Sequence, residues 1–348
     1  MKLEQAFDPR HNALNLWRLI LATGVIFWHS FPLTGNTIDF QPAVRLLSEL
    51  WVDGFFTVSG FLITASWMRR PHLGEYWRAR FLRIFPGLWV CVAVTAFVIA
   101  PIAAAVKHSS LPLSAEFAYV VNNGLLNVFY AGINGTPKDI PWPGVWNGSL
   151  WTLVFELLCY IAVCVLGVLG LLKRQWVLPT LFVASAVWSA YVSYPTMAQQ
   201  SIPQMLARFA VVFLAGALIH QYRDAIPAHW SLVALCGVIV IASGFAQNYR
   251  LIAALPLAYA IIVSGALVRR FPLRNDISYG MYIYAFPVQQ LLATLGLVSL
   301  HPTVFFLVAA LCTIPLAAAS WFVVEKRAMA LKHPKRQQVA AGTSSHPK

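Results

Sequence analysis

The chain has 348 residues with a formal net charge of +13, and 59% of them are hydrophobic while only 11% are charged. Soluble domains carry about 25% charged residues, so this composition excludes an ordinary water-soluble globular protein and points to a polytopic membrane protein. The basic excess does not imply a nucleic-acid partner, because its placement follows the membrane pattern described below.

Windows of about 20 apolar residues, the length that crosses a hydrocarbon core of roughly 30 Å, predict ten spans. They fall at about 13–32, 51–68, 85–106, 149–171, 176–193, 204–221, 229–246, 251–268, 278–298 and 303–324. The fold class expected is all-α and integral to the membrane. One transmembrane domain covers residues 1–331, and a basic cytoplasmic tail over 332–348 is expected to be disordered. The polar start "MKLEQAFDPRHNALNLW" shows no small-residue cleavage site, so the first span reads as a retained signal-anchor. If the N-terminus is cytoplasmic, ten spans return the C-terminus to the same side. Of the 25 Lys and Arg residues, only Arg45, Lys107, Lys138, Arg208 and Arg250 then lie outside. This positive-inside bias supports both the count and the orientation. Cys91, Cys159, Cys164, Cys236 and Cys312 fall within spans without metal-ligand spacing or a disulfide framework, and are expected to be small buried apolar residues. No internal repeat is evident.

An ionisable side chain inside a bilayer costs on the order of 2.5–3.5 kcal/mol, so each one is a candidate for function. The first span, "RLILATGVIFWHS", carries Arg18 at its inner end and His29 in its outer third. Eleven residues at 100° each come to about 1100°, within ~20° of three turns, so both side chains share one face about 16 Å apart along the axis. Each has a plainer reading: Arg18 snorkels to the inner interface, and His29 caps the outer end. Asp53 opens the second span, either as a third polar group of a site or as an interfacial cap. Ser59 and Gly60, in "FFTVSGFLI", are residues small enough to let helices pack closely. The cytoplasmic stretch "RRPHLGEYWRARFLR", residues 69–83, has the Arg and aromatic content of a short interfacial helix. Within it Arg80 and Arg83 share a helix face. They suit anionic phosphates or, alternatively, mark topology and lipid headgroups.

The outer loop of about 107–148 ends in "GTPKDIPWPGVWNGS", whose Gly, Pro and Trp favour an ordered surface loop over a helix. Trp142 and Trp146 are a candidate sugar-facing surface by stacking. Glu156 lies about seven residues, or ~10 Å, into the fourth span from its outer end. That depth matches His29, and a hydrogen-bonded pair would let the carboxylate orient the imidazole and raise its basicity. The alternative is a structural bridge between helices. "ISYGMYIYAFPVQQ" gathers Ser278, Tyr279, Tyr282 and Tyr284, which either line a pocket or form an interfacial aromatic belt. Acid–base groups thus fall towards the outer side and anion-binding groups towards the inner side, a polarity that suits a phosphorylated donor entering from the cytoplasm.

Taken in order, "RLILATGVIFWH", "WVDGFFTVSGFLI", "RFLR", "GSLWTLVFELLCY", "ISYGMYIYAFPV" and "WFVVEKR" resemble the acyltransferase 3 family of bacterial integral-membrane glycan O-acyltransferases. The resemblance runs from Asn15 to about Arg327. It implies a multi-pass inner-membrane enzyme that takes an acyl group, commonly acetyl, from cytoplasmic acyl-CoA. The acceptor is a hydroxyl of a glycan or lipid-linked saccharide, and no cofactor is bound permanently. By the same resemblance His29 is the catalytic histidine, Arg18 its motif partner, and Arg80 and Arg83 handle acyl-CoA. Glu156 stands at the family's glutamate position. Asp53, Ser59, Ser278 and Tyr279 are further candidates for substrate binding. Many members carry a histidine where this chain has Ala285, a departure that questions a role for a second histidine here.

The mechanism expected docks the nucleotide phosphates at Arg80 and Arg83, threads the donor's arm past Arg18 and brings the thioester to His29. The rival reading is a proton-coupled transporter or lipid-linked glycan carrier, with His29, Glu156 and Asp53 as relay groups.

Overall fold

The computed structural model describes residues 1–127, 129–192, 201–268, 273 and 275–332. Among them every regular element is helical, apart from isolated bridges at Lys2–Pro227 and Ile133–Thr136. The principal helices are α1 Leu14–Leu33, α2 Gln41–Arg69, α3 Leu73–Val106, α4 Leu113–Gly124, α5 Thr152–Val168 and α6 Val177–Tyr191. They continue with α7 Ile202–Gln221, α8 Trp230–Ser243, α9 Arg250–Leu267, α10 Ser278–Thr294 and α11 Pro302–Ala330. A helix pairs each backbone N–H and C=O within its own segment, which is what a bilayer demands. Each of the ten expected spans coincides with a helix. Six of them, α1, α2, α3, α7, α9 and α11, are long and apolar enough to cross a membrane, while α5, α6 and α8 are shorter apolar helices. Large apolar side chains such as Leu235, Val238 and Ile241 on α8, and Leu307, Leu311 and Ile314 on α11, lie exposed at helical spacing. Faces of this kind are at home in lipid and are a liability in water.

Four expectations change. Residues 73–83 are not a separate interfacial helix but the first turns of α3, which runs unbroken past Pro86 and through a wider π-helical stretch at Thr95–Ile99. A proline inside a helix removes one backbone donor, and packing on both sides carries α3 through that loss. The outer loop contains α4, which the Gly and Pro content nearer Trp142 does not foretell; Phe117 of α4 packs edge-on against Phe97 of α3, and Trp89 donates to the Gly124 carbonyl at 3.0 Å. The aromatic-belt reading of the tyrosine-rich segment fails, because every residue of α10 except Leu291 is buried. Among the cysteines Cys91 and Cys164 are buried as expected, but Cys312 is exposed on α11. The tail from residue 333 onward lies outside the described residues.

The tightest helix contact joins α2 to α7. A Cβ built on Gly60 would lie 1.9 Å from the Phe213 carbonyl oxygen, and one built on Gly216 would lie 2.0 Å from that of Thr57. The two backbones therefore touch where a side chain on either helix would hold them apart, as the small residues at 59–60 suggest. Replacing Gly60 with Ala forces overpacking against rigid backbone. The expected loss is about 3 kcal/mol or more, read as a lower melting temperature in detergent and a reduced yield of monodisperse protein.

Candidate active site

Charged and polar side chains collect in three places within the bundle. The first lies among α1, α3, α10 and α11. Arg18 donates to Asp276 Oδ2, and Arg83 Nη2 donates to the same oxygen at 2.6 Å. Asp276 Oδ1 accepts from the Ser278 hydroxyl and from the Ser278 N–H at 3.2 Å. Arg83 also faces Glu325 at 3.8 Å, and Glu325 accepts from the Ser320 hydroxyl at 2.9 Å. Glu325 closes the π-helical stretch Ser320–Glu325, a local widening that often accompanies functional sites. Asp276 precedes α10, outside the spans. Burial alone would raise its carboxyl, but the guanidinium groups of Arg18 and Arg83, followed by the Ser278 hydroxyl and N–H, hold it well below the usual carboxylate range. Tyr279 of α10 donates to the Ile84 carbonyl at 2.9 Å and lies under the Arg83 guanidinium.

Beside this layer Glu156 accepts from the Ser59 hydroxyl at 3.2 Å and from the Tyr160 hydroxyl. Arg80 is buried over the rings of Tyr76 and Tyr160, at 4.7 and 5.7 Å from their centroids. Arg83 is held by two carboxylates, whereas Arg80 lies over aromatic rings, pairs with no carboxylate among the described residues and leaves its Nε without a hydrogen-bond partner. The two side chains do share a helix face, as their spacing predicts.

The second place is the C-terminal part of α1. His29 is half-buried, and its Nδ1 lies 2.9 Å from the Val25 carbonyl oxygen. A carbonyl only accepts, so Nδ1 carries the proton and Nε2 keeps its lone pair in the neutral ring. Phe286 of α10 and Trp142 of the outer loop pack around the imidazole, with ring centroids at 5.1 and 6.1 Å. Two adjacent glutamines of α10 hold this arrangement. Gln289 donates to the Ile26 carbonyl and the Ser30 hydroxyl, each at 3.0 Å. Gln290 donates to the carbonyls of Trp142 and Val145 at 2.9 and 2.6 Å.

The expected hydrogen bond between His29 and Glu156 is not formed, since each spends its contacts elsewhere. The depth estimate assumes that α5 starts at the membrane surface. Instead Asn147, Ser149 and Thr152 are buried, and Thr152 meets the Tyr282 hydroxyl at 2.7 Å, so α5 begins inside the bundle. Of the two tryptophans, Trp142 reaches the histidine. Trp146 is 1% exposed and donates to the Thr136 hydroxyl at 3.0 Å, so it offers no surface to a sugar.

The third place is a fully buried knot between α2, α7 and α9. Asp53 accepts from Arg208 Nε at 3.2 Å, from Arg250 Nε at 2.6 Å and from the Tyr249 hydroxyl, while Arg250 also holds Glu49. Asp53 is thus neither an interfacial cap nor a neighbour of His29. Its partners ensure that no buried charge is left alone. Asp276, Glu325, Tyr160 and the glutamine pair are the residues that sequence reasoning missed. Asp276 stands immediately before the quoted "ISYGMYIYAFPV" and Glu325 lies within "WFVVEKR", and an acid at the end of a span that must neutralise two arginines is the signal available for them.

The chain matches the model of a family described as an acyltransferase domain, over residues 11–322. An O-acetyl transferase of Shigella phage Sf6 is 28% identical over 346 residues, covering 94% of this chain and 98% of the relative. Nodulation protein 10 of Rhizobium leguminosarum bv. viciae is 28% identical over 363 residues, covering 92% of this chain and 94% of the relative. No solved structure matches. The family match runs through the arginine–aspartate layer, the histidine pocket and the buried knot alike, and the chain belongs to the acyltransferase 3 family of membrane enzymes that transfer acyl groups.

Proposed function

We propose that the enzyme crosses a bacterial inner membrane ten times with both termini in the cytoplasm. In this reading it moves an acetyl group from cytoplasmic acetyl-CoA to a hydroxyl of an exported or cell-surface glycan. The name of the phage relative supports acetyl as the group, and the distribution of Lys and Arg supports the orientation. The observation that carries the proposal is the 2.9 Å contact between His29 Nδ1 and the Val25 carbonyl oxygen, which assigns the ring proton to Nδ1 and leaves Nε2 as a base on a half-buried side chain.

The acceptor O–H gives its proton to Nε2 as its oxygen attacks the thioester carbonyl carbon. The C–S bond then breaks, and the imidazolium returns the proton to the leaving sulfur. The products are the ester and free CoA, and the imidazole is neutral again, as general acid–base catalysis requires. Glu156 is a positioning residue in this scheme, holding Ser59 and Tyr160 beside the charged layer. Arg18, Arg83 and Ser278 meet at Asp276 to form the charged layer beside which the donor's arm passes, while Tyr279 ties α10 to α3 there.

Purified protein in lipid nanodiscs, given radiolabelled acetyl-CoA and candidate glycans, is expected to release free CoA and leave alkali-labile label on the glycan. Movement of the glycan driven by a pH gradient, with no CoA released, would instead establish the carrier reading.

A further inference from the structure

In the charged layer Arg18 and Arg83 are already held by carboxylates, while Arg80 is covered by the rings of Tyr76 and Tyr160. Arg18, Arg80 and Arg83 stand among Glu156, Asp276 and Glu325, three formal charges of each sign. An incoming phosphate would have to displace carboxylates that already hold Arg18 and Arg83. Further arginines lie one helical turn away, in a cavity of about 870 Å³ lined by Arg10, Arg69 and Arg223, with Glu4 as its carboxylate among the described residues. Glu4 stands 3.7 Å from Arg223, whereas Arg10 and Arg69 are exposed and pair with no carboxylate among the described residues. The adjoining surface is basic too. Burial lowers the Lys332 ammonium, and neighbouring Arg80, Arg69 and Arg70 lower it further.

The cavity has firm walls. The first residues of the chain are clamped onto the turn after α7: Leu3 N–H donates to the Ile226 carbonyl at 2.8 Å, Glu4 N–H to that of Arg223 at 3.0 Å, and Ala228 N–H to that of Met1 at 2.8 Å. Ala13 N–H then donates to the Gly265 carbonyl at 2.8 Å, which fixes the segment to the end of α9. The volume is that of an ordinary small-ligand site. Its inner wall includes Asn15 of α1 and Leu62 of α2. Each stands three residues from the charged layer, Asn15 from Arg18 and Leu62 from Ser59. Along α1, Asn15 and His29 are separated by about 21 Å, a distance that asks for a donor with a long arm between its charged and reactive ends.

We infer that this cavity holds the phosphorylated nucleotide end of the thioester donor, with Arg10 and Arg69 as its phosphate ligands. The inference rests on the proposed function for the identity of the donor. The chemistry recognised is a phosphate ester, which a nucleotide or an anionic lipid headgroup can supply, and the site is assigned to the nucleotide because the lining reaches Asn15 of α1 and Leu62 of α2, each one turn from the charged layer.

The test uses the full chain in zwitterionic nanodiscs, with adenosine 3′,5′-bisphosphate as the probe. Because Arg10 and Arg69 are exposed, R10Q/R69Q is expected to fold as the wild type does. It should bind the bisphosphate about tenfold or more weakly, the scale of one lost charge-assisted contact. The preference in kcat/KM for acetyl-CoA over S-acetylpantetheine, which lacks the nucleotide, should collapse by a similar factor. Unchanged bisphosphate binding in the double variant overturns the inference. So does wild-type binding that is competed away when phosphatidylglycerol is added to the disc, which assigns the site to lipid. Wild-type protein that binds the bisphosphate through Arg10 and Arg69 but acylates no glycan leaves the phosphate site standing and removes the proposed glycan O-acetylation instead.

Discussion

Replacing His29 with Ala is expected to abolish acyl transfer while leaving a folded protein. The side chain makes one hydrogen bond, to the Val25 carbonyl of its own helix, and that carbonyl also belongs to the local helical ladder. Little of the fold therefore depends on the imidazole. In the proposed mechanism its base has no substitute beside it, since the rings that pack on it are those of Phe286 and Trp142. Loss of a general base costs about 10²–10⁴-fold in rate. CoA release by His29→Ala in nanodiscs should fall by at least a hundredfold on that scale, with the melting temperature within a few degrees of wild type. Undiminished O-acylation by a well-expressed variant would remove His29 from the chemistry.

The largest expected effect on stability comes from Asp276→Asn. The carboxylate is shared by Arg18 and Arg83, and its other oxygen accepts from Ser278. Removing one partner of a buried ion pair leaves uncompensated charge and costs about 3–5 kcal/mol. A marked drop in melting temperature is expected, together with weaker turnover as Arg18 and Arg83 lose their common anchor. Removing Arg18 as well should return part of the lost stability, since the two groups interact directly. The sign of the pH dependence follows from the depressed carboxyl. Its stabilising contribution is fully present above the unfolded value of about 3.9 and is lost as the pH falls through the lower folded value. Wild-type melting temperature should therefore be insensitive to this group from neutrality down to about pH 5 and decline in stronger acid. The variant should lack that part of the acid decline. A variant as stable as wild type at neutral pH would show that the layer contributes nothing to the fold.

Much of the architecture is legible from the residues alone. Runs of apolar residues locate ten helices to within a few positions for most of them, because a membrane helix is decided by its own length and composition. The extensions are less legible. α2 begins at Gln41, well before the expected apolar span, because its polar first turns find partners elsewhere: Arg45 donates to the Gly244 carbonyl at 3.0 Å and Glu49 accepts from Arg250. The shared face of Arg18 and His29 follows from helical spacing, as does that of Arg80 and Arg83. The partners of those side chains do not. Asp276 lies 258 residues from Arg18, and Arg208 lies 155 from Asp53.

The sequence by itself determined that this protein is a bundle of membrane helices, that an arginine and a histidine share one face of its first long helix, and that its motifs follow an acyltransferase order. These properties depend on neighbours within a turn or a span, where spacing along the chain is distance in space. Tertiary structure alone decided that Glu156 turns to Ser59 and Tyr160 instead of to His29, that Asp53 is locked into a buried knot, and that Arg83 is held by carboxylates while Arg10 and Arg69 stay exposed. The reason is electrostatic. In a low-dielectric interior each charge must find an opposite one, and which one it finds depends on how the helices pack, information that no single helix carries.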